Sequence, residues 1–313
     1  MRKKDKVNLI KLMISLSFVV IFSGLAFDFD NVKKLINPEV DTYVVSSKSS
    51  NGGMISITTS SGKQKHIKKN ESVMRNYPTK TNVNNNDPNN ELRNSIQKKY
   101  GINIKYGAET DGYEVANLTV TSLTDSNTVK AVLNELDKNL GNYPAGLFKE
   151  IKNSGFDLTI YLIERYNEHD VTGITDSTGK KVIISLATAN QFNESIHHEL
   201  YHYMERFMYS KGIRYTTWNS LNPEGFKYGN TNSSLSFNNT ELADAFFVNN
   251  YAQTSPEEDR ASTFEYMTVN AKEPCMDNGK PIWLKAKYMC EQIDIAFNSV
   301  NANTIEYWER YVY

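Results

Sequence analysis

FNESIHHELYHYMERFM, residues 192–208, is the stretch on which the reading of this chain turns. It reads as one amphipathic helix, stopped by Lys211 and Gly212, a basic residue followed by one that tolerates a left-handed backbone. Histidine is scarce, five residues in 313, yet His197, His198 and His202 fall within six consecutive positions. Residues four apart on a helix share a face, so the imidazoles of His198 and His202 converge while Glu199 points beside them. His197 lies about 100° around the helix from His198 and cannot join them without distortion, so it is read as structural.

Upstream of this helix, strand and helix patterns are mixed. Leu92, Ile96 and Tyr100 recur at helical spacing behind a capping Asn90, and short strands are expected at 102–106 and 116–123. A second helix follows Asp125, with Val129, Val132, Leu133, Leu136 and Leu140 on one face, and ends at Gly141. Two further strands are expected, FDLTIYLIE at 156–164 and KKVIISL at 180–186, with a turn at 176–179 between them. Downstream, WNSLNPEGFKYGNTNSSLSFNN (218–239) is polar and long enough for a functional loop, a helix starts near Ser255, and another covers about 283–298. The class is α+β, in a catalytic-type domain over residues 90–313.

The N-terminus is built differently. Arg2, Lys3, Lys4, Lys6 and Lys11 precede an uncharged apolar run over 12–27, the pattern of an export segment. The run is shorter than the roughly 20 residues that span a bilayer, so residues 1–27 are a cleaved signal peptide or a retained anchor, with Gly24 and Ala26 at a spacing that suits cleavage. The remainder is expected to be extracytoplasmic, secreted or anchored, touching membrane only through this segment. Residues 28–89, with SSKSSNGG and TKTNVNNNDPNN, read as a largely disordered Asn/Ser-rich stalk. Alternating pieces at 42–45 and 54–58 are compatible with a small hairpin across Asn51-Gly52-Gly53. Thirty-five basic against 36 acidic residues give a net charge of -1, which leaves nucleic-acid binding without support. Cys275 and Cys290 are the only cysteines; they are placed to pair in an exported protein, or Cys290 packs as a small hydrophobe beside Ala286, Ile293 and Phe297.

HHELYH contains the H-E-x-x-H arrangement, in which two histidines bind Zn²⁺ and the glutamate is the general base in peptide hydrolysis by a metal-activated water. His198 and His202 are therefore candidate metal ligands and Glu199 the candidate catalytic base. Such sites take a third protein ligand, and no histidine follows His202, so a carboxylate is required. NNYAQTSPEEDRASTFEYM offers Glu257, Glu258, Asp259 and Glu265. Ser255, Pro256 and Glu258 also read as a helix cap, which by itself accounts for a glutamate at 258.

Tyr251, six intervening residues, Glu258, then Ala261 after two more, together with PIWLKAKYMCEQIDIAF at 281–297, resemble the pattern of the lethal-factor-like metallopeptidases, the group that includes the Pro-Pro endopeptidases. The similarity covers roughly residues 90–313, and Ser262 stands where that group has a second acidic residue. The resemblance implies a zincin-type fold holding one zinc ion, with Glu258 as third ligand and Tyr251 as the hydroxyl that stabilises the tetrahedral oxyanion. On one helix face with Glu258, Ser262 is placed to hydrogen-bond a ligand imidazole. In zincins the strand just before the metal helix forms the edge to which substrate peptide adds, and KKVIISL holds that place. The expected partner is a protein or peptide substrate, cleaved by an endopeptidase. A zinc-binding but inactive domain used as a cell-surface peptide-binding or adhesion module is the alternative, for which the Ser262 departure speaks. Tyr228 is a second tyrosine in a candidate cleft loop.

Overall fold

The computed structural model describes residues 54–59, 75–78, 87–168, 170–189, 191–229, 242–301 and 303–313. The export segment, the 42–45 half of the expected hairpin and most of the Asn-rich stretches lie outside these residues. Among the described residues eight strands form the sheet: β1 (Met54–Thr59), β2 (Arg75–Asn76), β3 (Asn103–Lys105), β4 (Glu114–Val115), β5 (Leu118–Ser122), β6 (Asp157–Tyr166), β7 (Val171–Thr178) and β8 (Lys181–Ala187). Their order is β1-β7-β8-β6-β5-β4-β2, with β3 pairing β6. β6 runs parallel to β8 with Ile160 opposite Ile184, and β7 returns antiparallel along the far side of β8.

Period-two alternation decides which side chains face the helices. Leu158, Ile160 and Leu162 of β6 and Val182, Ile184 and Leu186 of β8 enter the main core. Tyr161, Ile163 and Ala187 point the other way, into a smaller cluster with Tyr113, Leu118, Tyr166 and Ile174. The helices are α1 (Asn90–Tyr100), α2 (Ser126–Leu140), α3 (Leu147–Asn153), α4 (Phe192–Ser210), α5 (Pro256–Val269) and α6 (Pro281–Ala296). Asp125 caps α2 by accepting from the Thr128 N–H.

Helix α4 has no such start: Gln191 sits at φ 47 without a side-chain cap. Burial holds it instead. Ile196, Leu200, Met204 and Phe207 are fully enclosed, each worth about 1.5–3 kcal/mol relative to exposure. One side of α4 lies on β7 and β8, the other on α5.

Two sequence expectations change here. Residues 176–179 are not a turn between two strands; Val171–Thr178 is a strand of its own, and the chain reverses between Thr178 and Lys181. In consequence KKVIISL is an interior strand, paired by β6 on one side and β7 on the other, and cannot accept an added peptide. The mixed class stands, with β1 and β2 contributed by the region read as stalk.

Candidate metal centre

Helices α4 and α5 bring three potential ligands to one point. His198 Nε2 lies 2.9 Å from Glu258 Oε2, and His202 Nε2 lies 3.3 Å from the same oxygen. One ligand atom from each residue fits within 4.8 Å of the others. A tetrahedral ion with bonds of 2.0–2.1 Å spaces its ligands about 3.3 Å apart, so this donor set of two imidazoles and a carboxylate has the span zinc requires. The cluster fits the zincin motif.

The surrounding charges favour a cation. His198 is fully buried, and its other ring nitrogen, Nδ1, pairs with Glu265 Oε2 at 3.0 Å. Burial alone lowers the His198 pKa, but the hydrogen bonds and charges of Glu258 and Glu265 outweigh it and hold the group up to about 10. Burial raises Glu258, yet the His202 charge and the hydrogen bonds from both histidines pull its carboxyl well below the usual range. The same field that retains a proton on His198 favours a metal ion in its place. Ser255 Oγ accepts from the Glu258 N–H at 3.2 Å, so the cap and the carboxylate use different parts of one residue.

Glu199 is fully enclosed between α4 and β7. Thr175 Oγ1 donates to its Oε2 at 2.5 Å and to its backbone carbonyl at 3.3 Å. Gly173 faces it one residue pair along the strand, where a Cβ would stand 2.8 Å from Oε1 and 2.9 Å from Cγ. Glycine is needed there for close approach. Tyr251 opens the short 3-10 turn Tyr251–Gln253 ahead of α5, with its ring 5.8 Å from that of His198.

Other candidates are drawn elsewhere. Asp259 Oδ2 accepts from Lys285 Nζ (2.7 Å), Trp218 Nε1 (2.9 Å) and Tyr228 OH (2.6 Å), which places both Asp259 and Tyr228 in a buried network under the first turn of α5. Glu257 reaches Arg260, which also pairs with Glu205 of α4 and so fastens α5 alongside it. Ser262 does not support an imidazole: its buried Oγ has no hydrogen-bond partner among the described residues, and Glu265, one turn further on, serves His198 instead. His197 sits between the Tyr143 hydroxyl (2.8 Å at Nδ1) and Asn139 Oδ1 (2.9 Å at Nε2). Burial pushes its pKa down to about 3, with Arg310 adding to the effect, so the ring is neutral and structural. Cys275 and Cys290 are both buried, and no disulfide joins them.

Sequence reasoning missed Thr175, Gly173 and the part Glu265 plays. A glycine inside a strand pattern is the signal for the second, and the i+7 spacing from Glu258 for the third. Beside His202 a cavity of about 350 Å³ opens between β7 and α4, lined by Thr175, Ser177, Arg206, Tyr209 and Phe156.

No protein-family profile matches the chain, and no curated protein matches it. Among solved structures it is similar to a Bacteroides caccae protein named as a putative zinc-binding metallo-peptidase, at 16% identity and a TM-score of 0.49, covering 71% of this chain and 90% of that one. A likeness of this strength assigns no chemistry.

Proposed function

We propose that the domain is a zinc-dependent endopeptidase working outside the cytoplasm, with His198, His202 and Glu258 as ligands to one ion, Glu199 as general base and Tyr251 as oxyanion donor. The convergence of both imidazole Nε2 atoms on Glu258 Oε2, with Glu199 next to His198 in the chain and held by Thr175, carries the reading. Zinc in such a site supplies Lewis-acid chemistry, polarising a carbonyl and acidifying water. Thr175 fixes Glu199 Oε2, and the carboxylate so held would take the proton as water attacks the peptide carbonyl and return it to the departing amine. Glu265 orients His198 through Nδ1, and Tyr251, whose ring lies 5.8 Å from that of His198, is the candidate hydroxyl for the developing oxyanion. The cavity beside His202 has room for one substrate side chain.

Extracytoplasmic location rests on the basic N-terminus and the apolar run behind it. Among the described residues no helix is long and apolar enough to cross a membrane. The Ser262 departure that favoured an inactive peptide-binding module loses its weight, because His198 keeps a carboxylate partner in Glu265.

The test is hydrolysis of a peptide library by the purified full chain, before and after chelation and after zinc is restored, alongside Glu199→Gln. The reading expects zinc-dependent cleavage and a zinc-loaded Glu199→Gln protein that has lost most turnover. A Glu199→Gln enzyme within a few-fold of the parent refutes the mechanism.

A further inference from the structure

Strand β7 would be the edge of the sheet but for β1, which joins it from more than a hundred residues away in sequence. β7 is also the strand that touches the base: Thr175 bonds Glu199, and Gly173 leaves room for its carboxylate. β1 runs antiparallel along those residues, with Ser56 opposite Thr175 and Thr58 opposite Gly173, and it approaches α4 as well. An extended peptide adding to this edge would use the same backbone groups of β7. MISITT is itself uncharged and alternating, the composition of an extended peptide that docks by its main chain.

Accepting the peptidase reading, we propose that Met54–Thr59 is the chain's own occupant of the peptide-docking edge of β7, in competition with extended substrate. Its pairing explains how it resides there without being cut. The register shifts between Thr58 and Thr59, abreast of Gly173, so the regular ladder breaks where the chain draws level with the base. Six residues on one ladder are a weak attachment that tethering makes effective, because a linked strand is present at a high local concentration. Displacement of β1 then sets how much of the protein is competent to bind substrate.

The full chain tests this with two designs. Ile57→Cys with Ile174→Cys joins residues that face each other in the ladder, so oxidation locks β1 in place and reduction of the same protein is the control. Ser56→Pro with Ile57→Pro removes at least one N–H directed at β7, since adjacent residues of a strand point their N–H groups to opposite sides. Two readouts are followed: kcat/KM on the best-cleaved library peptide, and binding of a fluorescent synthetic peptide of residues 53–61 in a Glu199→Gln background, with zinc content measured throughout. If about a tenth of the protein has its edge open, the released variant gains about ten-fold in both readouts, and the locked protein loses nearly all of both until reductant is added. Equal activity and equal peptide binding in the locked and reduced forms overturn the proposal, as does a folded proline variant that binds the peptide no better than the parent. Should no form cleave any peptide while the lock still blocks peptide binding, the peptidase reading fails and the edge competition stands.

Discussion

Gly173→Ala isolates the base from the metal. The added methyl would lie 2.8 Å from Glu199 Oε1 and 2.9 Å from Cγ, short of ordinary contact by about 0.6 Å. Backbone strain is not involved, because Gly173 does not hold a positive φ. Either α4 or the Glu199 side chain must yield. Helix α4 is fixed by Ile196, Leu200, Met204 and Phe207, all fully buried, whereas a carboxylate can swing, so Glu199 leaves its bond with Thr175. Overpacking of this kind costs about 1–3 kcal/mol of stability. A misplaced general base costs about 10²–10⁴ in rate, or about 3–5 kcal/mol of transition-state stabilisation. His198, His202 and Glu258 are untouched, so zinc content should match the parent. The assay is kcat/KM on the best library peptide, with zinc per chain and the unfolding midpoint measured on the same preparation. A folded, zinc-loaded Gly173→Ala enzyme within a few-fold of wild type refutes the placement of Glu199 against β7.

Two further substitutions separate roles around His198. Glu265→Gln should weaken zinc affinity or turnover by about 10–100-fold, read by competition with a fluorescent chelator, because the Nδ1 hydrogen bond loses its charge; unchanged affinity and activity together would show that Glu265 is a bystander. Tyr251→Phe should keep fold and zinc while lowering kcat by about 10² or more, the cost of one oxyanion donor, and an unaltered kcat removes Tyr251 from the reaction.

What the sequence showed clearly was local: the spacing of His198, Glu199 and His202 on one helix, the start of α5 at Ser255 and Pro256, and β6 and β8 with their apolar runs. What it hid depended on distant neighbours. VTGITDST carries Gly173 and Asp176, poor strand formers by propensity, and it becomes strand β7 because β8 on one side and β1 on the other satisfy its backbone. The expectation for Ser262 followed a family pattern, while the helix offered Glu265 about one turn beyond Ser262, where its longer side chain reaches Nδ1. Trp218 and Tyr228 lie in a stretch too polar to read as core, yet both bond Asp259, whose partner Lys285 comes from α6. Such a buried pair must be hydrogen-bonded to be tolerated, and it fixes the turn of α5 next to Glu258.

Zinc stoichiometry is the most direct test of the central claim. Native mass spectrometry of the wild-type chain after zinc loading and desalting should show one equivalent, and the His198→Ala/His202→Ala and Glu258→Gln proteins should lose it while remaining folded. A double alanine variant that retains a full equivalent of zinc would contradict the account at its foundation.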